Sequence, residues 1–284
     1  MIPTTFEYQR ATSVDDALAK LAAANGSGKL LAGGHSLIPL MKLRLSEPQV
    51  LIDIGRIPEL SGIREQEGRI AIGAMTVHHA VATSALIREQ CPAIAEAAES
   101  IGDLQVRNRG TLGGSLAHSD PSADYPAAMI AADADIVVRS ANGSRSIKAQ
   151  DFFVDLFTVD IAPDEIVTSV LIRPSRMSAY AKLHQRASHF AIVGVGASLG
   201  VDGGTIGSAR IGLTGASSHA LRLTNVEAAL VGKPATPATI EAASRGVGAG
   251  LEAVNADLHG SEEYRRAMVD VFTKRALLGA LARI

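Results

Sequence analysis

Two glycine-containing stretches, AGGHSLIPLMKLRL (residues 32–45) and RNRGTLGGSLAHSDPSADYPA (residues 107–127), decide the interpretation of this sequence. Each combines two adjacent glycines with a hydroxyl side chain. Glycine lets backbone N–H groups approach a ligand closely and reach positive φ, which is the geometry of an anion-binding nest. Pro39 is expected in the first turn of a short helix over 39–45, with free N–H groups at its start. Two such turns could clasp a pyrophosphate, although glycine pairs also form ordinary tight turns.

The composition limits the classes of protein and of site. The chain has 284 residues, enough for one or two domains, with a formal net charge of -2 and a single cysteine, Cys91. One cysteine excludes an intramolecular disulfide, a cysteine-based zinc site and an iron–sulfur cluster held by this chain alone. The net charge gives no indication of nucleic-acid binding. The longest uncharged apolar stretch, 191–201, is far shorter than the roughly 20 residues that span a bilayer, so we expect a soluble protein of a reducing compartment.

The N-terminal part alternates predicted helices and strands. Ser13 is expected to cap a helix that ends at Asn25-Gly26. The glycine pair at 113–114 is predicted to form a turn. Apolar runs and alternating patterns predict the other elements. The strands are predicted over 29–32, 49–54, 69–74, 136–139 and 165–173, and the helices over 76–89, 92–101 and 124–132.

The pattern changes beyond Arg173-Pro-Ser-Arg176, which indicates a join near residue 175. Strands followed by helices predict a small α+β layer. Gly194, Gly196 and Gly200 do not form a Rossmann fingerprint, because the third glycine is one residue late and a turn follows where a helix is required. Three strands are predicted over 179–185, 191–201 and 205–214, and helices near 223–231, 237–250 and 261–282.

The two glycine stretches closely resemble those of the FAD-binding medium subunit of molybdenum hydroxylases, the family of carbon monoxide dehydrogenase and xanthine dehydrogenase. The resemblance extends over essentially the whole chain, including FEYQR (6–10), IGLT (211–214) and EYRR (263–266). It implies an α+β fold with a two-part FAD-binding domain of the PCMH/vanillyl-alcohol-oxidase-like type over 1–175, whose α/β subdomains cover about 1–55 and 56–175. A C-terminal α+β domain over 176–284 would hold a three-stranded antiparallel sheet and helices.

The resemblance also assigns cofactor-binding residues by position, and no catalytic residue or metal ligand. Asp124 matches an acid that contacts polar groups of the flavin, and Lys182 matches a basic residue close to the isoalloxazine ring. Asp124 is also compatible with an ordinary helix cap, and Lys182 with a solvated charge on a strand. The loops on the FAD pyrophosphate would be formed by Lys29, Leu30, Leu31, Ala32, Gly33, Gly34, His35, Ser36 and Leu37, and by Thr111, Leu112, Gly113, Gly114 and Ser115.

Three apolar residues complete the predicted site. Ile101 and Val167 match positions that line the flavin, and Phe190 falls where carbon monoxide dehydrogenases have a tyrosine beside the flavin. Phe190 lacks the hydroxyl of that tyrosine and cannot make a hydrogen bond assigned to it. All three are also compatible with an ordinary place in the core.

The function that the resemblance implies is that of an FAD-carrying electron-transfer subunit, most similar to the carbon monoxide dehydrogenase type. Its partners would be a large molybdopterin subunit and a small [2Fe-2S] subunit, in a dimer of heterotrimers, with electrons passing through FAD to an external acceptor. A stand-alone FAD-dependent oxidase or reductase and an FAD-less scaffold subunit are the alternatives. The expected location is the cytoplasm, or the inner face of the membrane if the complex is held there.

Overall fold

A three-stranded parallel sheet forms the N-terminal part of the fold. The computed structural model describes residues 2–283, and the strand order in this sheet is β1-β3-β2. The predicted first helix is confirmed, because the Ser13 hydroxyl accepts a hydrogen bond from the N–H of Asp16 and caps it. The elements are β1 (Glu7–Arg10), α1 (Val14–Ala23), β2 (Gly28–Leu31), α2 (Leu37–Lys42) and β3 (Val50–Asp53).

The helix α2 begins two residues earlier than expected, and Pro39 still lies within its first turn. Buried apolar residues of α1 and β3 pack against each other and form a small core of their own. The parallel strands are joined by helical crossovers, as parallel pairing requires. The first glycine stretch therefore leaves this sheet at the end of β2 and enters α2 directly.

A five-stranded antiparallel sheet, ordered β4-β5-β10-β6-β7, forms the middle part and is covered by helices. The largest buried cluster of the chain lies between this sheet and its helices. The elements are β4 (Ile63–Gln66), β5 (Arg69–Gly73), α3 (His78–Thr83), α4 (Ala85–Gln90), α5 (Pro92–Glu99), α6 (Leu104–Arg107), α7 (Leu112–His118), α8 (Tyr125–Ala131), β6 (Asp135–Ser140), β7 (Gly143–Lys148), α9 (Ala149–Phe152), β8 (Phe153–Asp155), β9 (Thr158–Val159) and β10 (Ile166–Ile172).

Two predictions in this part are wrong in detail. Gly113 and Gly114 do not form a turn but lie in the first turn of α7, which Thr111 caps by accepting a hydrogen bond from the N–H of Gly114 at 3.2 Å. The single helix expected over 76–89 is two helices, because Ser84 has extended backbone and its hydroxyl caps α4. In both places a side-chain cap begins a new helix, which apolar periodicity alone does not reveal.

A four-stranded antiparallel sheet, ordered β11-β12-β13-β14, forms the C-terminal part. Its residues pack with α10 and α12 in a second large buried cluster. The elements are β11 (Ser178–His184), β12 (Ala191–Asp202), β13 (Thr205–Thr214), β14 (Leu221–Arg222), α10 (Thr224–Leu230), α11 (Pro237–Ala243) and α12 (Glu262–Leu281).

The predicted α+β architecture is confirmed, but the prediction of three strands in the C-terminal sheet is wrong. The additional strand β14 has two residues, which pair with Gly212 and Leu213, and two residues are too few to show an alternating pattern. The helix expected over 237–250 ends at Ala243 and is followed by a short 3-10 turn at Gly248–Gly250. Within residues 2–283, none of the helices is both long and apolar enough to cross a membrane.

Glycines in β12 and β13 allow α8 to pack directly on the C-terminal sheet. A Cβ on Gly212 would lie 2.9 Å from the Cα of Ala127, and a Cβ on Gly196 would lie 2.8 Å from the Ala127 carbonyl oxygen. Both distances are too short for a real side chain. Gly196 and Gly212 therefore serve strand–helix packing, which agrees with the rejection of a Rossmann fingerprint.

The close approach of α8 predicts the effect of a single methyl group. Gly212→Ala is expected to reduce the free energy of unfolding by about 1–3 kcal/mol, because the added Cβ would collide with the backbone of α8. Gly207→Ala in the same strand is the control and is expected to change it by less than about 0.5 kcal/mol, because no atom lies within 3.4 Å of its Cβ position. Urea unfolding followed by circular dichroism measures both, and equal stability of the two variants would contradict this packing.

Candidate functional site

The two glycine stretches meet in the folded chain. We call residues 32–37 the first glycine segment and residues 109–115 the second glycine segment. A Cβ on Gly33 would overlap the carbonyl oxygen of Arg109 and lie 2.8 Å from the Cα of Gly110. A Cβ on Gly114 would lie 3.5 Å from the Cβ of Ala32. The structure thus brings together the two segments that the sequence predicted to act together.

The first glycine segment presents a row of unpaired backbone donors. Among residues 2–283, no group accepts a hydrogen bond from the N–H of any residue from 33 to 37. Gly34 has a φ of 77°, a left-handed conformation that glycine adopts without strain. His35 is exposed and its neighbours in the segment are half-buried, so the donors can be reached from solvent. Successive unpaired N–H groups in such a turn are the arrangement that binds anions.

The second glycine segment differs, because its backbone donors are already used. The N–H of Leu112 donates to the Thr76 carbonyl at 3.0 Å, and the N–H of Gly113 donates to the Ala74 carbonyl at 2.8 Å. Together with the capping bond to Gly114, these contacts fix the start of α7 against the loop that follows β5. Ser115 is half-buried, and its hydroxyl has no hydrogen-bond partner among the described residues. The second segment is therefore held rigidly beside the first one by its own hydrogen bonds.

Asp124 and Lys182 form a buried ion pair. The Lys182 ammonium donates to Asp124 Oδ2 at 2.8 Å and to the Ser100 carbonyl at 2.9 Å, and the Tyr180 hydroxyl donates to Asp124 Oδ1 at 2.6 Å. The side chains of Lys182 and Asp124 are 5% and 4% exposed. Lys182 is therefore not a solvated strand charge, and Asp124 does not use its side chain to cap α8.

The electrostatics of this pair follow from its burial. Burial raises the pKa of the Asp124 carboxyl, and the neighbouring Lys182 ammonium opposes that rise. Burial, with the adjacent Asp124 charge, also raises the pKa of the Tyr180 phenol, which stays protonated and acts as a donor. Each carboxylate oxygen thus has a protein donor, and the ammonium is fixed by two acceptors.

The apolar residues of the predicted site have different environments. Ile101 is half-buried beside the Ser100 carbonyl, and the Arg107 guanidinium donates to the Ile101 carbonyl at 3.0 Å. Val167 is 6% exposed and packs within the core of the middle part. Phe190 is 47% exposed. The structure therefore places Ile101 next to the ion pair, Val167 in the core and Phe190 on the surface.

His78 is a buried polar residue that lies outside the site predicted from the sequence. Its side chain lies at the start of α3, it is 4% exposed, and its backbone N–H donates to the Gly110 carbonyl at 3.0 Å. Burial, together with the nearby His35 and Arg107, lowers the pKa of His78 to about 4. Nothing in the local sequence distinguishes it from the adjacent His79.

Metal and thiol chemistry find no support in the described part of the chain. Within residues 2–283, no group of three or more His, Cys, Asp or Glu side chains is placed to hold a metal ion. Cys91 is buried, and burial raises its pKa to about 11, so its thiol is protonated and unreactive.

Removing the ammonium tests the buried ion pair. Lys182→Met is expected to lower the free energy of unfolding by about 3–5 kcal/mol, because it leaves a buried carboxyl without its counter-charge. Arg245→Met removes an exposed ion pair with Glu241 and is the control, with an expected change below about 1 kcal/mol. Urea unfolding measures both, and a Lys182 variant as stable as the control would mean that the pair is not buried.

Comparison with known proteins gives the family. Residues 4–176 match the model of the FAD binding domain in molybdopterin dehydrogenase, and residues 178–280 match the model of the CO dehydrogenase flavoprotein C-terminal domain.

Relatives of similar length agree with these matches. The carbon monoxide dehydrogenase medium chain of Hydrogenophaga pseudoflava is 40% identical over 286 residues, which cover 100% of this chain and 99% of the relative. Subunit alpha of the 6-hydroxypseudooxynicotine dehydrogenase complex of Paenarthrobacter nicotinovorans is 37% identical over 287 residues. That alignment covers 100% of this chain and 97% of the relative. A solved structure of carbon monoxide dehydrogenase from Hydrogenophaga pseudoflava superposes with a TM-score of 0.95 at 42% identity, covering 100% of this chain and 99% of that one. The resemblance is confirmed, and the chain belongs to the family of FAD-binding medium subunits of molybdenum hydroxylases.

Proposed function

We propose that this chain is the FAD-carrying electron-transfer subunit of a molybdenum hydroxylase complex of the carbon monoxide dehydrogenase type. The observation that carries the proposal is the row of unpaired N–H groups over residues 33–37, held against the second glycine segment. The similarity over the whole length to a carbon monoxide dehydrogenase medium chain supports the same type of complex.

The residues of the site fit FAD. The unpaired donors of the first segment suit the diphosphate, and the free hydroxyl of Ser115 adds a donor on the second segment. Gly33 has no side chain that would separate the two segments. We propose residues 29–37 and 111–115 as the segments that hold the cofactor.

The buried ion pair suits the flavin end of the site. When bound, FAD supplies the redox chemistry and exchanges electrons singly or in pairs. Lys182 would place a fixed positive charge beside the ring, because Asp124 and the Ser100 carbonyl leave its ammonium no other position. We propose Asp124 as the residue that orients this charge and Ile101 as an apolar neighbour of the ring. Val167 and Phe190 would complete the lining, Val167 from the core side and Phe190 from the surface.

The electrons must come from another chain. The sequence holds one cysteine, and iron–sulfur clusters are held by several cysteine ligands. We propose a small [2Fe-2S] subunit as the electron donor and a large molybdopterin subunit as the site of substrate oxidation, assembled as a dimer of heterotrimers. The relatives named as a medium chain and as a complex subunit support this arrangement.

We also propose a division of the chain near residue 175. The part before it would bind FAD, as two subdomains that meet near residue 55, and the part after it would form the C-terminal domain. Separate buried clusters on the three sheets support this division.

The cofactor test uses the close contact at Gly33. Gly33→Ala is expected to lower the FAD content of the purified protein at least tenfold, because the new Cβ would push the first segment away from Arg109 and Gly110. Gly207→Ala is the control and is expected to retain full FAD content. Flavin absorbance after denaturation measures both. Unchanged FAD in Gly33→Ala would contradict the proposed binding segments.

The assembly test uses the native complex. Affinity purification of the full chain from its native cells is expected to recover two further subunits, one with molybdenum and one with iron, measured by mass spectrometry and metal analysis. A flavoprotein that purifies alone and oxidises a substrate by itself would support a stand-alone oxidase or reductase and contradict the proposal. A chain that purifies with these subunits but without flavin would instead be a scaffold.

A further inference from the structure

His78 lies directly beneath the second glycine segment, where the two glycine segments meet. Its Nε2 is 2.5 Å from the position that a Cβ on Gly110 would occupy, so the imidazole edge faces the bare Cα of that glycine. Its ring packs against the ring of Tyr125 with centroids 5.2 Å apart. These contacts fix the direction in which Nε2 points.

The environment of the imidazole selects one tautomer. The ring is neutral near pH 7, since burial, together with the nearby His35 and Arg107, lowers its pKa to about 4. Nδ1 is sealed from solvent and has no partner among the described residues. A buried donor without an acceptor is rarer in proteins than an acceptor without a donor, so Nδ1 carries the lone pair and Nε2 carries the hydrogen. His78 thus directs a single N–H toward the second glycine segment.

Other donors converge on the same place. Besides burial, the residues that lower the pKa of His78 are His35, which lies within the row of unpaired N–H groups, and Arg107. Arg107 is held by bonds from its guanidinium to the carbonyls of Ile101 and Gly102 at 3.0 and 3.1 Å. A guanidinium together with N–H donors forms a site for an anion.

We propose that His78 is a further cofactor-binding residue, whose Nε2–H donates a hydrogen bond to the diphosphate of FAD past the side-chain-free Gly110. This inference rests on the proposed function, because it needs FAD at the glycine segments. The hydrogen bond from His78 would add a side-chain donor to the backbone donors of the first glycine segment. It also explains why Gly110 lacks a side chain, because any Cβ there would cover the donor.

The test measures FAD affinity of the full chain, in the complex in which it purifies, after removal of the bound FAD. His78→Phe keeps the ring against Tyr125 and removes the donor, and His78→Asn leaves an amide too short to reach the Nε2 position. Both are expected to raise the Kd for FAD about ten- to a hundredfold, as expected for loss of one charge-assisted hydrogen bond. His78→Gln places an amide N–H near the Nε2 position and is expected to stay within about threefold of the unsubstituted chain.

His79→Phe is the matched control, because it changes the adjacent histidine, which is only half-buried, and it is expected to leave the Kd unchanged. Competition with ADP and with riboflavin locates the contact on the cofactor. The loss in His78→Phe should appear equally for ADP, which carries the diphosphate, and not for riboflavin, which lacks it. Thermal unfolding of each variant identifies any that fails to fold. If His78→Phe fails, the comparison of His78→Asn with His78→Gln shows whether an N–H donor at the Nε2 position sets the affinity for FAD.

Three outcomes overturn the inference. Folded His78→Phe and His78→Asn variants that bind FAD as tightly as the unsubstituted chain would remove His78 from the site. A loss for FAD without a loss for ADP would place the contact away from the diphosphate. An unsubstituted chain that does not bind FAD in any assembly would refute the proposed function and this inference together, whereas the first two outcomes leave the proposed function intact.

Discussion

The contact between Gly33 and the backbone of Arg109 and Gly110 is the constraint on which the site depends. Because neither glycine carries a Cβ, the chain that leaves the parallel sheet packs directly on the chain that enters α7. The first segment is thereby held with its N–H groups unpaired, although unpaired donors normally cost free energy unless water or a ligand accepts from them. We propose that an anionic cofactor supplies the missing acceptors, so that the contact that shapes the segment also leaves its donors available for binding.

A second constraint ties this site to the C-terminal sheet. Lys182 and Tyr180 belong to β11, whereas Asp124 precedes α8, so one buried ion pair joins the two parts of the chain. Burying two charges is expensive, and the energy is recovered only when every polar atom has a partner, as it does here. Glycines in β12 and β13 allow α8 to come close enough for this pairing. The packing of α8 on β12 and β13 therefore sets the position of the Lys182 ammonium.

The sequence predicts individual segments better than it predicts the contacts between segments that are far apart in the chain. Ser13 and the alternating strands each carry a local signal, and the structure has a helix cap and strands where those signals place them. Glycine pairs favour turns, which is why the sequence predicts a turn at 113–114, but the Thr111 cap outweighs that preference and begins α7 there. The pairing of Asp124 with Lys182 joins residues far apart in the chain, and no local pattern encodes such a contact. The burial of His78 has no local signal either, since it depends on how α3 packs under the second segment.

The most direct measurement of the central claim is backbone amide hydrogen exchange, compared between the FAD-loaded protein and the same protein stripped of FAD. The N–H groups of residues 33–37 have no acceptor in the described chain, so their exchange is expected to slow at least tenfold when FAD binds. The N–H groups of Leu112 and Gly113 already donate to carbonyls and are expected to change little. Equal exchange of residues 33–37 with and without FAD would contradict the account, because it would mean that the cofactor does not use the donors that the fold leaves free.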